Sequence, residues 1–213
     1  MYIPNSFAER DSDTLFAFME AHPLAALVTS TPADGLFATH LPLLVERAVG
    51  PAGTLFGHVA RANAHARLGS APVDALVIFG GPEAYISPTW YQTKQDSGRV
   101  VPTWNYAAVH VYGTLHLHDD PEFLRKHLGV LTARHESNRP TPWQVSDAPV
   151  DYIAQQMKAI VGVEIRIDRL EGKWKMSQNR SAADIDGVVR GLGESESIED
   201  QAVAAIVKER RPH

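Results

Sequence analysis

Residues 109–118 constrain the fold more than any other stretch of this chain. Val109, Val111, Leu115 and Leu117 alternate with His110, Tyr112, Thr114, His116 and His118. A period of two puts the first set on one face of an extended strand and the second on the other, so one face packs and the other meets solvent or ligand. Val161, Val163, Ile165 and Ile167 repeat the pattern against Gly162, Glu164, Arg166 and Asp168, and residues 174–178 are expected to extend the sheet. Ala75-Leu76-Val77-Ile78-Phe79 is instead a continuous apolar run, fit for a strand buried on both faces, with Gly80-Gly81-Pro82 expected to end it. Further strands are expected at 24–29, 36–45 and 54–59, separated by the turn signals Pro32-Ala33-Asp34-Gly35 and Gly50-Pro51-Ala52-Gly53.

Helical spacing appears between and after these strands. Residues 11–21 carry Leu15, Phe18 and Met19 on one face, and 60–68 have room for a short helix. Asp120-Pro121 offers a cap and a first-turn proline to a helix with the stripe Phe123, Leu124, His127, Leu128 and Leu131. Residues 150–158 predict another. Ser181 with Asp184 resembles a capping box ahead of Ile185, Val188, Val189 and Leu192, and 198–208 is acidic at its start and basic at its end. Many strands without a regular βαβ rhythm predict an α+β fold around a largely antiparallel barrel or sheet.

Composition narrows the setting. A chain of 213 residues, 44% hydrophobic and 21% charged, is an ordinary globular sequence, expected to form one domain over 1–213 with a helical C-terminal part at about 181–210. No apolar run approaches the roughly 20 residues needed to span a bilayer, and Met1-Tyr2-Ile3-Pro4-Asn5 lacks signal-peptide features, so no membrane partner is expected. The absence of cysteine excludes disulfides, a thiolate nucleophile and cysteine-ligated metal, and fits the cytoplasm. A formal charge of −5 supplies no overall attraction to nucleic acid.

Three segments carry candidate chemistry. In Gly57-His58-Val59-Ala60-Arg61-Ala62-Asn63 a strand runs into a short helix, where His58, Arg61 and Asn63 with free backbone N–H groups suit a phosphate; a surface Arg beside a cap is the plainer reading. Tyr85-Ile86-Ser87-Pro88-Thr89-Trp90-Tyr91 and Val101-Pro102-Thr103-Trp104-Asn105-Tyr106 concentrate aromatic rings and hydrogen-bonding groups suited to a planar heteroaromatic ligand. Packing of the same rings into the core is the alternative. Between them, 92–99 reads as a mobile polar loop over the site. Lys173-Trp174-Lys175-Met176-Ser177-Gln178-Asn179-Arg180 joins cations to amides, either to neutralise an anion or as a solvated strand end. His116 and His118 share a strand face with Asp119 and Asp120 beside them, but an exposed polar face is the commoner cause of that pattern, and no metal site is expected. No Gly-x-Ser-x-Gly elbow or dinucleotide fingerprint is present, and no residue stands out as catalytic.

These motifs, in this order, resemble the PaiB-type family of FMN-binding negative transcriptional regulators, whose domain is a flavin-reductase-like split barrel. The resemblance begins at Met1-Tyr2-x-Pro4-x-x-Phe7, continues through Gly35-Leu36-x-Ala38-x-His40-Leu41-Pro42 and Gly57 to Asn63, and is densest at Tyr85 to Tyr91. Val101 to His110 and Gly172 to Arg180 complete it. It departs at Ala64-His65-Ala66-Arg67, where the family often carries an aromatic residue after Asn63. The resemblance implies a mainly antiparallel six-stranded split β-barrel with peripheral and C-terminal helices, a homodimer, and FMN at the subunit interface. It implies His58, Arg61 and Asn63 on the phosphate side, and Tyr85, Ser87, Trp90, Tyr91, Thr103, Trp104, Asn105 and Lys173 along the cavity. It also implies that Ser177, Gln178 and Asn179 reach FMN from the partner subunit. Two alternatives to regulation stand beside it: an FMN-dependent oxidoreductase or flavin reductase, with His110, Tyr91 or Lys173 as proton carriers, and a haem-binding split barrel. DNA is the partner a repressor would need, yet the basic clusters 173–180 and 208–211 are short and read as solvated surface.

Overall fold

The computed structural model describes residues 1–31, 35–69 and 71–212; the turn signal at Pro32-Ala33-Asp34 lies outside the described residues. The strands are β1 (Ala8–Glu9), β2 (Leu24–Thr31), β3 (Gly35–Pro42), β4 (Leu44–Glu46), β5 (Thr54–Ala60), β6 (Val73–Ile86), β7 (Thr103–His118) and β8 (Ile160–Lys175). The α-helices are α1 (Ser12–Ala21), α2 (Gln92–Ser97), α3 (Pro121–Glu136), α4 (Val150–Lys158), α5 (Ala182–Gly193) and α6 (Ile198–Glu209). The sheet runs β3-β2-β6-β7-β8-β5-β4, with β1 added to β8. β2 is antiparallel to β3 and β6, and β5 to β4 and β8. The α+β class and antiparallel sheet are as expected, with eight strands in the described residues, of which β1 and β4 are only two and three residues long.

Alternation in the sequence becomes alternation in burial. β7 buries every second residue from Asn105 to Leu115 and turns the intervening ones outward. β8 does the same at Val161, Val163, Ile165 and Ile167. Burying each large apolar side chain of these rows contributes about 1.5–3 kcal/mol, so the two rows are a substantial part of the apolar driving force.

Several boundaries move for identifiable reasons. β6 does not stop at Gly80-Gly81-Pro82 but continues to Ile86. A Cβ on Gly81 would lie 2.5 Å from the Phe18 ring, so glycine there admits a close neighbour and does not mark a turn. The expected 36–45 strand divides into β3 and β4 at Leu43, whose N–H donates to the Pro23 carbonyl. The 60–68 helix shrinks to a 3-10 turn, Ala64–Arg67, because the Asn63 side chain caps it by accepting from the His65 N–H at 2.9 Å. The loop expected at 92–99 is helix α2, closed by Gly98 at φ 66°. Ser181 accepts from the Asp184 N–H, but the Asp184 carboxylate is bonded to Thr93, so the capping is one-sided.

By contact density the chain forms two compact units. The first comprises 1–18, 80–110 and 171–213; the second comprises 19–79 and 111–170. In the first, Phe18 meets Trp174 edge-on at 5.0 Å, while α5 and α6 pack through Val188, Leu192, Val203 and Val207. In the second, α3 lies over β5 and β8, and Gly162 leaves room for the Phe123 ring. Also in the second unit, a Cβ on Gly113 of β7 would stand 2.2 Å from the Arg166 carbonyl oxygen on β8. Backbone cannot yield as a flexible side chain does. Gly113→Ala is therefore expected to cost about 3 kcal/mol, the upper part of the overpacking range, measured by urea denaturation against wild type. A loss below about 0.5 kcal/mol would show that β7 and β8 are not so closely apposed.

Candidate functional site

A polar cavity of the first unit lies where β7 begins and β8 ends. It encloses about 110 Å³ and is lined by Thr103, Asn105, Lys175, Ser177, Asn179 and Arg180, with Phe7 as its apolar side. Asn105 belongs to the inward row of β7 and is fully buried, yet it is polar. Its Nδ2 donates to Ser177 Oγ at 3.0 Å, which satisfies both groups away from water. Ser177 adopts φ 65°, a left-handed conformation that costs about 1–3 kcal/mol without glycine and that collects at ligand sites. Gln178 holds this turn: its Oε1 accepts from the Met176 N–H at 2.7 Å and its Nε2 donates to the Trp174 carbonyl at 2.7 Å. Its amide is thereby spent on the backbone, whereas that of Asn179 has no partner among the described residues.

Cations crowd the same corner. Lys175 Nζ donates to Thr103 Oγ1 at 2.5 Å and to the Trp104 carbonyl. Arg180 sits over the Tyr91 ring at 4.8 Å, and Lys173, 8% exposed, lies 5.0 Å from the Tyr106 ring. Burial, and then the charges of Lys173 and Arg180, hold the Lys175 ammonium below the usual lysine range. No carboxylate lines this cavity. The arrangement fits an oxygen-rich anionic group, supplying two cations, two amides and two hydroxyls. At about 110 Å³ it has room for one such group and not for a whole nucleotide.

The aromatic segments divide. Trp90 and Tyr91 are structural neighbours of α5: a Cβ on Gly187 would be 1.8 Å from the Trp90 carbonyl oxygen, and one on Gly191 would be 2.4 Å from the Trp90 ring. Tyr91 is buried, and burial raises its phenol above the usual range. Ser87 Oγ caps the 3-10 turn Pro88–Trp90 by accepting from the Thr89 N–H. Tyr85 and Trp104 are about half exposed and meet edge-to-face at 6.0 Å. Trp104 stands in the outward row of β7 and Asn105 in the inward one.

The second unit holds His58, Arg61 and Asn63. Arg61 forks onto Asp119, with Nη1 3.0 Å from Oδ2 and Nη2 on Oδ1, and donates to the Lys158 and Ile160 carbonyls at 2.7 and 2.9 Å. Asp119 is 70% exposed, and its hydrogen bonds with Arg61 lower its carboxyl below the usual range. Asn63 Nδ2 donates to Thr39 Oγ1. His65, within the stretch Ala64–Arg67 that departs from the family pattern, is buried, with its ring 4.9 Å from that of Phe37. His58 Nδ1 is 3.1 Å from His127 Nε2. His127 Nδ1 has no partner among the described residues, so the less costly tautomer carries the proton on Nε2 and donates to His58.

Sequence reasoning missed Asp119 and His127 as partners, and marked Lys175 and Arg180 only as members of the cationic segment 173–180. The period of two through Lys173, Lys175 and Ser177 was the available signal for Lys175. Nothing local predicted a histidine 69 residues away from His58.

With this geometry in place, comparison with known proteins is decisive for family. The model described as "Putative FMN-binding domain" matches residues 1–169. The chain belongs to this FMN-binding-domain family. Among relatives of the FMN-binding domain, an uncharacterized protein of Aspergillus fumigatus is 34% identical over 254 residues, covering 99% of this chain and 97% of its own. Protease synthase and sporulation protein PAI 2 of Bacillus subtilis is 30% identical over 210 residues, covering 99% and 98%, so the PaiB resemblance is borne out. The solved FAD and heme binding protein from Mycobacterium smegmatis shares the fold, with TM-score 0.56 at 16% identity over 79% of this chain and 73% of that one. No helix among the described residues is long and apolar enough to cross a membrane.

The histidine pair yields a pH prediction for this FMN-binding domain. Burial, and then the charge of His58, push His127 down to about 4 from its ordinary 6.5. The unfolded chain takes up this proton near 6.5 and the folded chain only near 4. Stability is therefore full above 6.5 and falls as pH drops through that window. Between pH 7.5 and 5, urea denaturation should show a loss of about 1–2 kcal/mol from this residue, and His127→Gln should remove it. Identical pH profiles for the two proteins would contradict the assignment.

Proposed function

We propose that this chain is an FMN-binding protein of the PaiB type, acting in the cytoplasm as a homodimer with flavin held between subunits. The six long strands, β2, β3 and β5 to β8, would form the six-stranded split barrel, with β1 and β4 as short additions. The observation that carries the reading is the cavity in which buried Asn105 and strained Ser177 meet Lys175 and Arg180 without a carboxylate. Lys173, Lys175, Ser177, Asn179 and Arg180 would hold the anionic or carbonyl edge of the nucleotide, and Asn105 and Gln178 would keep the Ser177 turn in shape. Tyr85 and Trp104 offer exposed rings for stacking, backed by Ser87, Trp90, Tyr91 and Thr103.

His58, Arg61 and Asn63 would form the phosphate side. Arg61 has a carboxylate where a phosphate would be, and exposed Asp119 can leave while the guanidinium keeps a paired fork. Bound FMN supplies hydride acceptance at its N5; the protein binds and orients it and sets the electrostatics around it. The cationic cavity favours a second reading, an FMN-dependent oxidoreductase, because positive charge stabilises a reduced, anionic flavin. Regulation follows from the family name, and direct DNA contact by a chain of net charge −5 would need a local basic surface.

FMN titration followed by fluorescence quenching tests the reading. One flavin per subunit is expected, with Lys175→Met weakening binding about tenfold or more, as expected for loss of a charge-assisted hydrogen bond. Arg61→Ala should weaken binding similarly and Asp119→Ala should strengthen it. Unchanged affinity in Lys175→Met, with the fold intact by circular dichroism, would overturn the cavity assignment. A weaker Asp119→Ala complex would overturn the exchange at Arg61.

A further inference from the structure

A cavity of the second unit lies among β4, β5, β8 and α3 and contains none of the residues assigned to flavin. It encloses about 440 Å³, within the roughly 300–1,000 Å³ typical of small-ligand sites. Leu44, Phe56 and Phe123 form its floor, the two rings 6.0 Å apart, and Val49 and Val130 flank it, each 43% exposed. Two valines left this open beside aromatic rings are an apolar surface that the fold does not itself cover.

Charge in the cavity is specific. Glu164 is spent: Oε2 is 2.7 Å from His118 Nε2, and Oε1 accepts from Arg166 Nε at 2.8 Å. Glu46 and Lys126 also line the cavity, and neither has an ion-pair or hydrogen-bond partner for its side chain among the described residues. One free carboxylate and one free ammonium over an aromatic and aliphatic floor match a zwitterion with an apolar body. We propose that this cavity binds a hydrophobic α-amino acid, whose ammonium meets Glu46, whose carboxylate meets Lys126, and whose side chain rests on Phe56 and Phe123. The site shares no residue with the flavin reading and meets it at one point, His127 of the lining, whose Nε2 lies 3.1 Å from His58 Nδ1.

The test is calorimetric titration of the full-length protein, as purified, with L-phenylalanine, 3-phenylpropionate and phenethylamine. Saturable binding of phenylalanine is expected, with each truncated analogue about tenfold weaker for want of one charge. Glu46→Gln should lower phenylalanine affinity to that of phenylpropionate, and Lys126→Met should lower it to that of phenethylamine. Val130→Trp should abolish binding of all three with FMN affinity unchanged, and Val49→Trp is the replacement if that variant does not fold. No saturable heat, wild-type binding in Glu46→Gln and Val130→Trp, or competition by FMN would overturn the proposal. So would loss of the dimer in Val130→Trp, which would assign the surface to subunit contact.

Discussion

The inward row of β7 is the constraint on which the rest of the structure depends. From Asn105 to Leu115 every second side chain is buried, and all but one are small or apolar. A one-residue slip would turn this row to solvent and bring Trp104, Tyr106 and His110 inside, so register is strongly specified. The exception is Asn105, and it is satisfied by Ser177. The pairing ties the start of β7 to the turn after β8, and that turn carries the strained residue of the cationic cavity. Packing and site are therefore joined at one hydrogen bond in the first unit.

Much of this was legible in the sequence, for physical reasons. Long alternating strands announce themselves because burial on one face demands a period of two, α3 and α5 announce themselves through caps and apolar stripes, and α6 through its acidic start and basic end. What was misread was glycine. Gly81 sits in a continuous strand because the Phe18 ring needs the space, and a glycine that admits a neighbour is locally indistinguishable from one that turns the chain. The segment 92–99 looked like a loop because its polar residues form no stripe; α2 is instead held from outside, by Thr93 bonding to Asp184.

The candidate site was legible as segments and not as partnerships. The residues of 173–180 and 101–106 stood out by type, and the structure brings Thr103, Asn105, Ser177 and Asn179 around one cavity. The sequence held no sign that Gln178 would serve the backbone, or that Arg61 would meet an aspartate 58 residues away. Side-chain competition for hydrogen bonds depends on tertiary distance, which local pattern does not encode. Lys175 was passed over although it carries the same charge as Lys173; only its distance to Thr103 distinguishes the two.

The structure of the FMN complex tests the central claim most directly. The account predicts flavin nucleotide density within hydrogen-bonding distance of Lys175 and Asn179, with Ser177 retaining its left-handed conformation and its bond to Asn105. Flavin density that touches none of Lys175, Ser177, Asn179 and Arg180 would contradict it.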